Sequence, residues 1–225
     1  MASVLISGDT SGSITISAPA ISGTNTLTLP AVTDTLVGLA ATQTLTNKTL
    51  TAPALGTPAS GVLTNCTGVV SAALPAGSVV QVVNFTTGAV ATGTTTIPND
   101  DTIPQITEGN QYLSLAITPT SATNKLFFQV IVMAAHSTSF WFSVAIFQDS
   151  IANAIAATAC YQTTATGGLV VPLNFYMTSG TTSSTTFTVR CGAHGAGTLT
   201  LNGQNGGRFF GGVMSSSITI TEIKV

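Results

Sequence analysis

Apolar and polar residues alternate with a period of two along most of the chain, which is how side chains alternate between the two faces of a β-strand. From Gly77 to Val225 this pattern predicts ten strands, each bounded by Gly, Pro, Asn, Asp or clusters of Ser and Thr. They are Ser78–Thr86, Gln111–Pro119, Lys125–His136, Phe140–Gln148, Thr158–Gln162, Leu169–Thr178, Thr185–His194, Thr198–Gly203, Arg208–Met214 and Ser216–Val225. Only Ser150–Ala159 competes as a helix. So many short strands predict an all-β fold, a jelly-roll-like β-sandwich.

The part of the chain before Gly77 has shorter apolar bursts, such as Ser13–Ser17 and Thr26–Pro30. Strands this short are marginal within one chain but could pair between identical copies. We therefore expect an intertwined shaft, with a flexible Ser/Thr/Ala linker as the alternative. The predicted division is an N-terminal segment over 1–40, which the resemblance described below makes the attachment segment, a repeat-rich shaft or linker over 41–76 and a C-terminal β-sandwich head domain over 77–225. The residues expected to face the shared axis are Leu45, Leu50, Leu55 and Leu63.

Two strands of the predicted sandwich, Lys125–His136 and Phe140–Gln148, carry apolar residues on both faces. A sheet in a sandwich normally has one polar face unless something covers it. We expect a second sheet on one side and a partner subunit on the other, in a homotrimer. Phe128 and Phe142 are the candidate interface residues in these strands.

Charge is scarce: 5% of residues are charged, against about 25% in an average soluble domain. The net charge of −2 provides no field to attract nucleic acid or an anionic membrane. A monomer with so few charges would be poorly soluble, which favours an oligomer that buries part of its surface. No segment approaches the roughly 18 apolar residues of a membrane span, so we expect no membrane insertion. The cysteines, Cys66, Cys160 and Cys191, form no disulfide framework and are expected to be reduced, with Cys160–Cys191 the one pairing to check.

Few residues are candidates for metal binding or catalysis. His136 and His194 lie at predicted strand ends, where a trimer axis could gather three copies of either one. Asp100 and Asp101 lie in the loop Pro98–Asn110, which suits calcium ligands but suits ordinary turn chemistry better. No nucleophile motif, phosphate loop or convincing pair of catalytic acids is present. We therefore expect neither an enzyme nor a bound cofactor.

Contacts with other molecules are expected from aromatic residues and polar loops. Trp141 suits the core or a subunit interface, and it could also stack on a sugar ring. Gly203–Gly207 is predicted as a hairpin turn. The residues expected to contact a receptor lie in two loops rich in small polar residues: Thr181, Thr182, Asn202, Gln204, Asn205 and Arg208.

Several long phrases of the sequence resemble fibre proteins of tailed bacteriophages. Thr42–Val69 is similar to their repeat-rich segment, and Thr102–Leu126, Val144–Ala157 and Leu201–Val225 are similar to their C-terminal β-sandwich domain. The resemblance implies a homotrimeric virion appendage, assembled in the bacterial cytoplasm. Its N-terminal part would attach to other virion proteins, and its C-terminal domain would touch a glycan or protein of the host surface. A tail fibre is the expected function, and a head fibre or capsid decoration protein with an architectural role is the alternative.

Overall fold

The computed structural model describes residues 3–7, 11–17, 24, 31, 49, 51 and 73–225. The chain divides into two compact units, Met1–Gly61 and Val62–Val225. In the first unit, β1 (Ser3–Ser7) and β2 (Ser13–Ser17) form an antiparallel hairpin. The predicted strand Ser13–Ser17 is therefore present, and it pairs within its own chain. The predicted strand Thr26–Pro30 and the proposed axis residues Leu45, Leu50, Leu55 and Leu63 lie outside the described residues.

The second unit contains two large antiparallel sheets and a small two-stranded hairpin. The strands are β3 (Val79–Thr87), β4 (Ala91–Gly93), β5 (Asn110–Ile117), β6 (Lys125–His136), β7 (Trp141–Gln148), β8 (Ala156–Tyr161), β9 (Gly168–Thr178), β10 (Thr185–Ala193), β11 (Leu199–Leu201), β12 (Gly203–Gln204), β13 (Gly207–Arg208) and β14 (Ser216–Ile223). The four-stranded sheet has the order β5-β10-β7-β8. In the six-stranded sheet, β6 pairs with β9 along one edge and with β14 and then β11 along the other. β3 lies outside β14, and β4 lies outside β11.

The two sheets pack face to face around one apolar core. Every second residue of β6, from Leu126 to Ala134, points into this core and meets alternate residues of β7 and β10. The rings of Phe128 and Phe187 cross the space between the sheets with centroids 4.7 Å apart. Phe128 and Phe142 are therefore buried within one chain, and the prediction that they form a trimer interface is wrong. In β7, most residues on the outer face are covered by another segment of the same chain and not by a partner subunit.

In the four-stranded sheet, the segment 94–109 of the same chain covers the outer face. The Ile97 amide donates to the Ala193 carbonyl at 3.0 Å, and Arg190 Nε donates to the Glu108 carbonyl at 2.9 Å. This approach requires a glycine at position 192, because a Cβ there would lie 2.7 Å from the Thr95 carbonyl oxygen. The outward residues of β7 after Trp141, which are Ser143, Ala145 and Phe147, are accordingly buried.

Nine of the ten predicted strands are present within a few residues of their expected bounds. The exception is Arg208–Met214, where the extended chain ends after β13 because Phe210, Gly211 and Gly212 have φ of 49°, 64° and 97°, far outside the range of a β-strand. The predicted turn at Gly203–Gly207 is confirmed: Asn205 and Gly206, both with positive φ, join β12 to β13. Ser150–Ala159 forms no helix; its last residues begin β8.

Cys160 and Cys191 are both free thiols, and burial raises the pKa of Cys191. Among the described residues, no helix has the length and apolar character needed to cross a membrane.

Candidate functional site

Three functional side chains form a row across the outer face of the four-stranded sheet. Trp141 of β7 is paired with Tyr161 of β8, and the His194 amide donates to the Trp141 carbonyl at 2.9 Å. Their neighbours in sequence, such as Phe142, point into the core, so the alternation of a strand directs these three outward. The row lies beyond the part of the face that segment 94–109 covers, and all three side chains are exposed.

Trp141 and Tyr161 form an exposed aromatic pair. Their ring centroids are 5.6 Å apart with an interplanar angle of 60°, and the two residues are 43% and 48% exposed. Large aromatic side chains ordinarily supply core or interface area, so two of them in contact and open to solvent form an apolar platform. Trp141 therefore does not belong to the core of its own chain. A subunit interface and stacking on a sugar ring remain as its possible roles.

A polar wall formed by the segment 99–104 borders this row. The Asn99 amide donates to His194 Nδ1 at 2.8 Å, which leaves Nε2 of the neutral ring as a donor toward solvent. Asp100 Oδ1 accepts from the Thr102 hydroxyl at 2.5 Å and from the Thr102 amide at 2.9 Å. These two hydrogen bonds from Thr102 hold the pKa of Asp100 below its ordinary value. Asp100 is therefore an ionised acceptor at neutral pH.

Between this wall and strand β8 lies a groove of about 430 Å³. Asp100–Pro104 line one side, and 154–157 line the other. The outward residues of β8 continue from Ala157 through Ala159 to Tyr161, and all three are exposed. Small alanine side chains on this strip leave room for a ligand, and the aromatic pair stands at its far end.

This arrangement suits a saccharide. The apolar C–H face of a sugar ring stacks on an aromatic ring, while its hydroxyls need nearby donors and acceptors. The Trp141–Tyr161 pair supplies the aromatic surface for stacking. Asp100, Asp101 and His194 supply the hydrogen-bonding groups. The groove is open to solvent, which suits one segment of a longer saccharide better than a small enclosed ligand.

The four candidate metal ligands do not assemble into one site. His136 is buried, and its Nδ1 lies 3.0 Å from the Thr138 hydroxyl, so this side chain is part of the interior. Asp100 and Asp101 line the groove, and His194 lies near Asp100 outside the groove lining. Within the described part of the chain, no three His, Cys, Asp or Glu side chains are grouped as metal ligands.

The six predicted receptor residues lie at opposite ends of the sandwich. Thr181 and Thr182 follow β9 next to Asn124, where β6 begins, whereas Gln204, Asn205 and Arg208 belong to the hairpin near the end of β6. The prediction fails for Asn202, which is fully buried; its Nδ2 donates to the carbonyls of Thr87 and Ala89, and its Oδ1 accepts from Ser216.

Sequence reasoning missed Tyr161 and the wall residue Asn99. The available signal was the alternation of side chains along a strand. Trp141 and Tyr161 both lie at strand ends, and each follows or precedes a residue on the core face, so each should point outward. Their pairing also required the register between β7 and β8, which the sequence alone does not determine.

No protein-family model and no curated protein matches the chain. Among solved structures, it is similar to the EclA C-terminal domain, a sugar-binding protein, with 17% identity over 59% of this chain and 80% of that one and a TM-score of 0.29. The VP2 subviral particle of infectious bursal disease virus gives 13% identity over 66% and 38%, with a TM-score of 0.30. The enzymatically active domain of bacteriophage CBA120 tailspike protein 4 gives 16% identity over 55% and 19%, with a TM-score of 0.25. The chain thus spans well under half of the last two, and likenesses this weak carry no argument about its function.

Proposed function

We propose that this protein is a structural fibre of a phage virion, a tail fibre that binds a saccharide of the host cell surface in the groove beside Trp141. The observation that carries the proposal is the exposed Trp141–Tyr161 pair next to a wall of hydrogen-bonding groups. The resemblance of the sequence to phage fibres supplies the biological setting. The protein binds its saccharide without cleaving it.

The position of the aromatic row supports this proposal. The chain joins the sandwich at Gly77, whose amide donates to the Lys224 carbonyl at 2.8 Å, beside the start of β6. Trp141 follows the opposite end of β6, and the 12 residues of that strand span about 40 Å at ~3.3 Å per residue. If the N-terminal segment attaches to the virion, the aromatic row lies at the end of the sandwich away from that attachment. The same geometry disfavours Thr181 and Thr182, which lie at the joining end.

The strand order supports a jelly roll within this proposal. The first long strand of the sandwich, β3, lies beside the last, β14, and β5 to β6 to β7 crosses from sheet to sheet at each step. Strands β7 and β8 remain neighbours, after which β9 and β10 again alternate between the sheets. Two antiparallel sheets connected in this way make up the eight-stranded jelly-roll pattern. We propose that three such chains assemble into a homotrimer.

The proposal is tested by binding full-length protein to an array of bacterial surface polysaccharides. Trp141→Ala should weaken binding at least about ten-fold, since a central Trp at a binding surface typically contributes ~2 kcal/mol or more. Phe85→Ala is the matched control, because Phe85 is similarly exposed but lies on β3 in the other sheet. Thermal unfolding of each variant reports whether it is folded.

Three results would contradict the binding proposal: no polysaccharide bound by the wild type, binding unchanged in Trp141→Ala, or equal losses in the two variants.

Location of the protein on intact particles is a separate test. Density on the capsid instead of the tail would replace the tail fibre with the head-fibre or decoration role.

A further inference from the structure

The outer face of the six-stranded sheet is built from the side chains that point away from the core on β3, β14, β6 and β9. The strand registers arrange these side chains in rows across the sheet. One row contains Val82, Thr221, Phe127 and Tyr176, and the rings of Phe127 and Tyr176 have centroids 6.1 Å apart. Ile131 and Pro172 form the apolar half of another row, which continues to Ser217 and Thr86, and Val82, Ile131 and Tyr176 are all exposed. Unlike the four-stranded sheet, this one has no covering segment on these rows among the described residues.

Between the two apolar rows lies a row of amide and hydroxyl side chains: Asn84, Thr219, Gln129 and Asn174. Asn84 Nδ2 donates to the Thr219 hydroxyl at 2.8 Å. Gln129 and Asn174 are exposed and make no side-chain hydrogen bond with any described residue. Each of these amides carries both donors and an acceptor, so the row can hydrogen-bond with polar side chains of the same face on another copy.

The face is also nearly free of charge. Among its described outward residues, Lys125 is the one charged side chain, and its Nζ donates to the Thr178 hydroxyl at 2.6 Å. Two identical surfaces bring identical charges together, so a face with many charges of one sign would oppose its own copy. A face with amides and apolar groups lacks this repulsion and is suited to self-association.

At one end of the face an apolar cavity of about 210 Å³ lies beside projecting apolar side chains. Met133, Val170, Phe209 and Met214 line the cavity. Phe210 and Val213, in the turn that follows β13, are 76% and 85% exposed. The surface therefore carries both an apolar recess and apolar side chains that could fill the recess of another copy.

From these features we infer that the outer face of the six-stranded sheet is the contact between identical copies of this chain. Strands β3, β14, β6 and β9 have 9, 8, 12 and 11 residues. At ~3.3 Å per residue and ~4.8 Å between strands, they give a face of roughly 630 Å². A stable interface needs about 800 Å² from each partner, so this face supplies most of the required area. The inference rests on the proposed assembly of identical chains, and it is independent of the proposed saccharide binding.

The test uses full-length protein carrying the photo-cross-linking residue benzoylphenylalanine in place of Gln129. The matched control carries it in place of Ser114, an exposed outward position on β5 of the other sheet. Sedimentation of the unmodified protein should give a multiple of the 22.6 kDa chain mass. Irradiation should produce covalent dimers from position 129 at least ten-fold more efficiently than from position 114.

The outcomes distinguish failure of the proposed homotrimer from failure of this particular interface. A monomer in sedimentation overturns both the homotrimer and this interface, while the polysaccharide array still reports on saccharide binding. An oligomer that cross-links no better from position 129 than from position 114 overturns this interface alone.

Discussion

At the scale of single residues, the most constrained side chain is a buried carboxylate at the end of β14. Glu222 Oε1 accepts hydrogen bonds from the Thr120 amide at 2.9 Å, the Thr120 hydroxyl at 2.8 Å and Asn124 Nδ2 at 2.6 Å. Its Oε2 accepts from Gln81 Nε2 at 2.6 Å. Burial alone would raise the pKa of Glu222, but these four donors outweigh it and hold the pKa below the ordinary value of 4.5. The ionised form therefore ties the loop before β6 to the centre of the six-stranded sheet.

Replacing this carboxylate should cost stability in a pH-dependent way. Glu222→Gln places an amide group among buried donors, and we expect a loss of about 1–3 kcal/mol in the free energy of unfolding at pH 7. Because the folded pKa lies below the unfolded one, the stability from Glu222 is present above pH 4.5 and is lost as pH falls through the folded pKa. Denaturant unfolding at pH 7 and at pH 3 should show the difference between wild type and variant narrowing at the lower pH.

Glu108→Gln makes the same chemical change at a half-buried carboxylate with one backbone hydrogen bond, from the Gln105 amide. We expect a smaller loss from this control. A Glu222→Gln variant as stable as the wild type at pH 7, or a gap that widens in acid, would contradict the account of the carboxylate.

At the scale of strands and sheets, the sequence predicts the strands themselves well. Period-two alternation and turn residues locate nine of them because each signal is local. The sheet partners of those strands depend on register and on contacts far apart in the chain. Phe128 illustrates the limit: its apolar neighbours on both faces indicated an interface, yet its own parity directs it into the core. Trp141 shows the same limit for an exposed residue. Its exposure depends on where segment 94–109 ends on the outer face, and no feature of the sequence near Trp141 indicates this.

This distinction between the inner and outer faces of the six-stranded sheet predicts different effects of mutation. Phe128→Ala removes a ring that contacts Phe187 and Phe175 between the sheets, and it should reduce the free energy of unfolding by roughly 3–5 kcal/mol. Val82→Ala, on the outer face, should reduce it by less than about 1 kcal/mol in the dissociated chain. Denaturant titrations at protein concentrations low enough to dissociate any assembly provide the measurement. Similar losses in the two variants would show that the faces are not distinguished as described.

At the scale of the whole molecule, the sandwich presents two outer faces with different chemistry. The four-stranded sheet carries the segment 94–109 and the exposed aromatic row, and the six-stranded sheet carries apolar and amide rows with a single charge. If the second face joins copies and the first binds saccharide, one chain can do both without competition. A surface bearing many copies of one sugar is then held by several weak contacts at once, which raises the apparent affinity without any new contact.

This division predicts that assembly and saccharide contact can be separated by mutation. The double variant Val82→Glu/Ile131→Glu places two carboxylates on the six-stranded face, where copies would bring them together. It should dissociate the assembly in sedimentation and lower the apparent affinity for a polysaccharide-coated surface by ~10²-fold or more. Affinity for a short soluble oligosaccharide should remain within about two-fold of the wild type, since the groove near Trp141 is untouched and a monovalent contact gains nothing from avidity.

Ser114→Glu adds a carboxylate to an exposed strand of the other sheet and should leave the assembly intact. Loss of soluble oligosaccharide binding in the folded double variant would mean that the groove depends on the assembly, and unchanged surface binding in a dissociated variant would mean that multivalency plays no part.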